Sequence, residues 1–275
     1  MNSASRRERL LAGLLGGLTA ALVALTVGLV LVILARGLPE VGALLNQGGL
    51  GAAALGTIGL TLITALVAAP FGVATAIALS ELGPPGRLAR GLRFGLGTLA
   101  GVPGVVWGLF GLVVFVQGLA LGPSLLAAGL TLGVFTLPSL TLACEQALRA
   151  VPDEEREAAF ALGATRWEVI TRNVLPRAAP GILSGVALGL SRAAGETAPL
   201  LLTGAVYSIS GPVFGLSAPF MALPHHVYTL VTQHPDPAVG EPLAFAAAAL
   251  LLLLSLLIGG LAAGLRARLR LGEGL

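Results

Sequence analysis

RAVPDEEREAAFALGATRWEVITRNVLPRAAPG, residues 149–181, is the one strongly polar stretch of the chain, and it lies between two long apolar runs. Pro152 and Asp153 can begin a helix, and the acids that follow complement the dipole of its first turn. At 100° per residue Ala158, Leu162, Thr165 and Val169 fall in one narrow sector, which predicts an amphipathic element. Gly163 is a break or turn within it, and Pro176 limits its end. From periodicity alone such an element serves equally to lie on a membrane surface or to dock a protein.

The runs on either side settle the environment. Of 275 residues, 56% are hydrophobic and 11% charged, against roughly 45–50% and 25% in a soluble domain. The chain is therefore read as an integral membrane protein. Apolar runs at 10–35, 50–79, 96–117, 121–143, 182–206 and 243–265 are of the length that crosses a bilayer as helix, whereas the alternation expected of barrel strands is absent. The first run is too long for the core of a signal peptide and is taken as an anchor. The second, with Pro70 inside, is too long for one straight span.

Arginine falls in every second connection: Arg6, Arg7 and Arg9, then Arg87, Arg90 and Arg93, then Arg149 through Arg177, then Arg266, Arg268 and Arg270. The alternate loops hold only Arg36, so both termini and the basic loops are expected in the cytoplasm. The net charge of +3 is thus an asymmetry across a membrane and implies no nucleic-acid partner.

Several chemistries can be set aside. All 16 basic residues are arginine, so the chain has no phosphate-cradling lysine of the Walker type. Cys144, the single cysteine, is read as a small core residue. Gly95, Gly97 and Ala100 follow no strand and make no dinucleotide site. In the outer segment at about 207–241, which includes Gly211-Pro212, Pro224, Pro235 and Pro237, residues 223–232 predict a short interfacial helix. His225, His226, His234 and Asp236 match no strong metal template. No metal or cofactor is expected. Small-xxx-small ridges at Gly97/Gly101, Gly104/Gly108 and Gly181/Gly185/Gly189 predict close helix packing.

The fifth run contains SGVALGLSRAAGETAPLLLTG, residues 184–204, where Arg192 and Glu196 would each cost at least roughly 2.5–3.5 kcal/mol unpaired at the bilayer centre. Four residues apart, they can pair, and they share a helix face with Gly185 and Gly189. Pro199 removes the donor that would bond the carbonyl of Gly195, which predicts a bend. Two readings stand: a salt bridge that fixes helix rotation, or an arginine that faces a water-filled path and meets an anion.

Glu157-Ala158-Ala159, Gly163 and Leu175-Pro176, at these intervals, resemble the EAA loop of ABC-importer permeases. Asn173 stands where that family usually has isoleucine. RAAGETAPLLLTG, GTIGLTLITALVAAPFGVATAIALSEL, GVPGVVWGLFGLVVF and MALPHHVYTLVTQHPDP extend the likeness to PstA-type permeases of phosphate ABC importers. The resemblance implies an all-α membrane fold of six transmembrane helices, in the inner membrane of a prokaryote. It implies a permease region at 50–265, after a first helix and external loop at 10–49, with a coupling loop at about 149–177 and cytoplasmic ends at 1–9 and 266–275.

By the same resemblance, Glu157, Ala158, Ala159, Gly163, Leu175 and Pro176 contact an ATPase, and Arg192, Glu196 and Thr197 belong to the phosphate pathway. The implied partners are a PstC-like permease, two PstB-like ATPase subunits and an extracytoplasmic phosphate-binding protein. The chain itself would have no ATPase site. A permease for molybdate, sulfate or phosphonate is the nearest alternative, followed by an ATP-independent secondary transporter.

Overall fold

In the computed structural model, which describes residues 3–44, 49–83, 86–209 and 215–272, regular structure is helical apart from one backbone bridge between Ala205 and Phe220. Gly211 and Pro212 of the outer segment lie outside the described residues. Helix α1 spans Ser3–Leu44 and packs through Gly37 against α11, Pro237–Gly272, where a Cβ on Gly37 would lie 2.3 Å from the carbonyl oxygen of Phe245. Arg36 closes this pair by an ion pair to Glu241 at 3.1 Å. Most of the leucines of α1 are uncovered, as befits a helix whose other neighbour is lipid.

Helix α2, Leu50–Ile77, runs on through a π turn at Ala78–Leu82, so the apolar helix is 33 residues long and passes Pro70 without a break. Its long partner is α5, Leu125–Arg149, which carries Pro138 internally and is capped by the Ser124 hydroxyl accepting from the Ala127 N–H at 3.2 Å. Gly129 and Gly133 of α5 face Ile63 and Val67 of α2, where a Cβ would come within 2.8 Å of either side chain. That proximity is what glycine permits between helices in lipid. Cys144 is fully buried in the core at one end of this pair, among Leu140, Leu148, Val169, Val174 and Ala178.

The third expected span is not one helix. Helix α3, Arg87–Ala100, and α4, Gly104–Gly111 with its π-turn extension Leu112–Gly118, meet at an angle of 97°. Gly101-Val102-Pro103 makes the break, because Pro103 has no N–H to continue the ladder and disfavours helix in the residue before it. Among the described residues five helices are long and apolar enough to cross a membrane, or six when this bent pair is taken as one span.

After α5 come α6, Asp153–Ala161, and α7, Arg166–Glu168. The latter continues through a π turn at Val169–Val174 into α8, Leu175–Ala194, which forms one apolar helix of 29 residues with α7. Pro176 therefore ends no helix, since the wide π turn just before it accommodates the ring. Helix α8 stops at Ala194, so the fifth expected span is displaced: Arg192 lies in its last turn and Glu196 beyond it. A short α9, Leu200–Thr203, follows.

Helix α10, Leu223–Gln233, is packed into the bundle. Leu223, Pro224, His225, His226 and Leu230 are buried, and the Leu223 N–H donates to the Thr57 hydroxyl of α2 at 2.8 Å. It plugs the end of the bundle opposite α6.

Candidate functional site

Two places combine polar groups with unusual backbone. The first is half-way along α5. Gly181, Gly185 and Gly189 of α8 face Ala147, Ala143 and Thr136, where added Cβ atoms would sit 2.7, 3.0 and 3.4 Å from side-chain carbons. The expected glycine ridge therefore lays α8 on α5, and its next turn carries Arg192 over the ring of Phe135, 5.9 Å from the centroid. A cation above an aromatic face is attracted to the ring quadrupole.

Arg192 Nε stands 3.6 Å from Glu196 Oε1, with the arginine side chain 60% exposed and the glutamate 25%. At that length the contact is an ion pair and not a hydrogen bond. The chain reaches it without a helix: the N–H groups of Gly195 and Glu196 fold back to the carbonyls of Arg192 and Ala193 at 3.1 and 3.2 Å. These bonds satisfy carbonyls that a helix end leaves open. The expected pairing is present, but it arises from this tight turn, and Pro199 marks the far side of a break that Gly195 has already begun.

The break rests on α4. Gly104 of α4 lies against Ala198 and Pro199, and a Cβ on Gly108 would be 3.1 Å from the Cα of Pro199. Trp107, beside them, packs edge-on to Phe135 with centroids 6.3 Å apart. Helix α4, which starts just after the interruption at 101–103, thus packs on the interruption at 195–199. Thr197, half-buried within the latter, accepts the N–H of Leu200 through its carbonyl at 3.1 Å. Irregular backbone at this depth is tolerated only when protein covers it or water lines it. The Gly97/Gly101 ridge, by contrast, meets no neighbouring helix.

The second place is the α6 end. Gly163 has φ of +82°, a left-handed conformation suited to glycine, and it terminates α6 with its N–H on the carbonyl of Phe160 at 2.9 Å. Thr165 then starts α7 with a capping box: its hydroxyl oxygen accepts the Glu168 N–H at 3.4 Å, and its own N–H donates to Glu168 Oε2 at 3.0 Å.

The predicted sector of Ala158, Leu162, Thr165 and Val169 does not form, because the turn at Gly163 separates its members. Leu162 is 90% exposed, whereas Val169 is buried. Phe160, Leu162 and Trp167 instead make an uncovered apolar surface beside exposed Glu157 and Ala158, with Ala159 turned towards the core. Leu175 packs against that same core, and Pro176 is exposed.

Asn173 has a structural role that isoleucine could not fill: its Nδ2 donates to the carbonyl of Glu155 at 3.1 Å. Arg177 pairs with the Glu155 carboxylate, so α6 is stitched to the start of α8 twice. Sequence reasoning missed the anchors below α6. Glu145, almost buried, takes Arg93 at 2.5 Å and Arg149 at 3.0 Å, and Glu81 takes Arg156 at 2.9 Å. Their signal was two lone acids close to the ends of apolar runs. Hydrogen bonding to Glu81 raises the Arg156 guanidinium above its ordinary pKa.

The histidines do not converge. His234 Nδ1 accepts the Asp236 N–H at 3.2 Å in a turn after α10, while His226 stacks near Tyr207 at 5.8 Å. Burial pushes the His225 pKa down.

Comparison with solved structures places the fold. A chain of the MetNI methionine ABC transporter, in an inward-facing conformation, superposes with a TM-score of 0.66 at 19% identity, covering 80% of this chain and 95% of that one. The fold is that of the membrane permease subunit of an ABC importer. A sequence profile of the binding-protein-dependent transport system inner membrane component matches residues 68–271, and the chain belongs to that family.

Among individual relatives, the phosphate transport system permease protein PstA 1 of Mycobacterium tuberculosis is 41% identical over 187 residues, 68% of this chain. That alignment spans 60% of the relative's own length. A probable phosphate transport system permease protein PstA of Methanocaldococcus jannaschii is 33% identical over 233 residues, covering 82% of this chain and 79% of its own.

Proposed function

We propose that this chain is the transmembrane permease subunit of an ATP-driven importer that carries inorganic phosphate across the inner membrane of a prokaryote. The observation that carries the reading is Arg192: a half-open guanidinium over the ring of Phe135, in the last turn of α8 and just before the turn at 195–199 that packs on α4. A planar fork of N–H donors matches the oxygens of a tetrahedral oxyanion. Glu196, 3.6 Å away, orients that fork and offsets part of its charge, so that an anion is met without being trapped. Thr197 supplies a hydroxyl at the same turn. Relatives named as phosphate transport permeases give the choice among oxyanions.

Energy enters from partners. One of two ATPase subunits engages the exposed surface of Glu157, Ala158, Phe160 and Leu162 around the Gly163 turn, a PstC-like permease completes the pathway, and a phosphate-binding protein delivers substrate at the α10 end. The arginines at the α6 end support a cytoplasmic position for that end and for both termini. Helices interrupted at mid-depth are where transporters build substrate sites, and closure of the ATPases rocks the bundle about them. The reading is tested by assembling the full complex in proteoliposomes and measuring ATP-dependent uptake of labelled phosphate against competing oxyanions. Uptake that phosphate suppresses and sulfate and molybdate do not is the expected result. Preferential suppression by molybdate or sulfate assigns another substrate, and uptake that persists without the ATPases removes the importer reading.

A further inference from the structure

Glu81 closes α2, outside both places described above as contacting substrate or ATPase, yet its side chain is only 8% exposed. Arg156 of α6 holds both its carboxylate oxygens, Nε to Oε2 at 3.2 Å and Nη2 to Oε1 at 2.9 Å. The Ser80 hydroxyl adds 2.9 Å to Oε1, and Arg166 reaches the backbone carbonyl of Glu81. The rest of the Arg156 fork goes to Leu148 O, in the last turn of α5, at 2.9 Å, and to Val151 O at 2.6 Å and Pro152 O at 3.4 Å in the connection to α6. It also meets Asp153 Oδ1 at 3.2 Å.

One guanidinium therefore ties three elements together. It joins the last turn of α5 to the connection that leads into α6, and it fixes α2 to α6 by a two-bond contact that constrains angle as well as distance. The pair borders an open cleft of about 730 Å³ that is flanked by two π turns, Ser80 and Glu81 on one side and Val169 and Ile170 on the other. Such turns mark places where a helix accommodates an added residue and where function concentrates. Helix α2 runs from there along α5 to the opposite end, where Thr57 holds α10.

We propose that Glu81 and Arg156 form a latch that delivers movement of the α6 loop to α2, in addition to α5 and α8. Glu81 is thus a positioning residue for transport. The inference rests on the importer reading above and adds to it the identity of a second moving helix. A surface ion pair would be too weak for this, whereas removing one partner of a buried pair strands the other charge.

The test is Glu81→Gln in the complete transporter, reading phosphate moved per ATP hydrolysed. The expected result is hydrolysis still stimulated by loaded binding protein, with the ratio down about tenfold or more. A merely structural role lowers uptake and hydrolysis together and leaves the ratio unchanged, which overturns the proposal.

A second measurement does not depend on that variant assembling. Spin labels at Leu82→Cys and Glu154→Cys, with buried Cys144 left unlabelled, report the separation of α2 and α6 through the ATP cycle. A constant separation supports the latch; a change beyond about one helical turn, roughly 5 Å, overturns it. Absence of phosphate uptake by the wild-type control would count against the importer reading alone, since the label distances still decide the latch.

Discussion

Arg192 could be found in the sequence because charge inside an apolar run is costly and so has to be explained. Its surroundings could not. Phe135 lies 57 residues earlier in the chain, and no local pattern announces that the two meet. Glu81 and Glu145 were equally hard to weigh, since an acid near a helix end reads as solvated until the arginines that cover it are known. His225 is a further case, a residue of the outer segment that is buried.

Its burial makes a prediction with a definite sign. The folded state holds His225 neutral at pH values where the unfolded chain has begun to take up a proton, so stability is full above about pH 6.5 and falls as the pH is lowered below it, by at most about 1.4 kcal/mol per unit. Thermal unfolding of the purified protein at a series of pH values should show this slope, and His225→Asn should lose part of it.

The helices were legible as elements and less so at their ends. Six apolar runs became five long helices and a bent pair, because Gly101-Val102-Pro103 interrupts a stretch that hydropathy alone reads as continuous. The same difficulty moved the fifth span: hydropathy centred it near residue 194, whereas the helix starts at Arg166 through a polar segment and stops at Ala194.

The Gly163 turn was visible, since glycine between two helical patterns has few other uses. Gly163→Val would force a β-branched residue to φ of +82°, at a cost of about 1–2 kcal/mol or more. The expected outcome in the purified complex is ATP hydrolysis no longer stimulated by loaded binding protein. Stimulation at the wild-type level would exclude a coupling role for this turn.

At the contact of α4 with the 195–199 interruption, Gly108→Leu would drive a side chain into Pro199, where even a Cβ has only 3.1 Å. Uptake should fall by about tenfold or more at equal membrane abundance, because a misplacement of about 1 Å costs about that much or more where a site depends on position. Gly97→Leu, where the helix has open space, should be close to neutral.

For the whole molecule, the basic loops gather at the α6 end and a buried plug of α10 closes the other. Reporter fusions after residue 268 and within 234–237 should place the first in the cytoplasm and the second outside; the opposite result would reverse the direction of transport assigned here. The chain was legible as a membrane protein from composition and arginine periodicity, and as a permease because the spacing from Glu157 to Pro176 resembles that of a known family. The meeting of the two broken helices was not, because it depends on contacts between Gly104 or Gly108 and Pro199 that are some 90 residues apart in sequence.

The central claim is that Arg192 meets the transported anion. Labelled phosphate uptake should be measured in cells that lack their own high-affinity system and carry this chain with its partners, comparing wild type, Arg192→Ala and Arg192→Lys at matched abundance. The account predicts restored uptake with wild type, loss with alanine and a partial return with lysine, which keeps the charge but not the fork. Equal uptake by wild type and Arg192→Ala would contradict it and leave the Arg192–Glu196 pair a structural bridge.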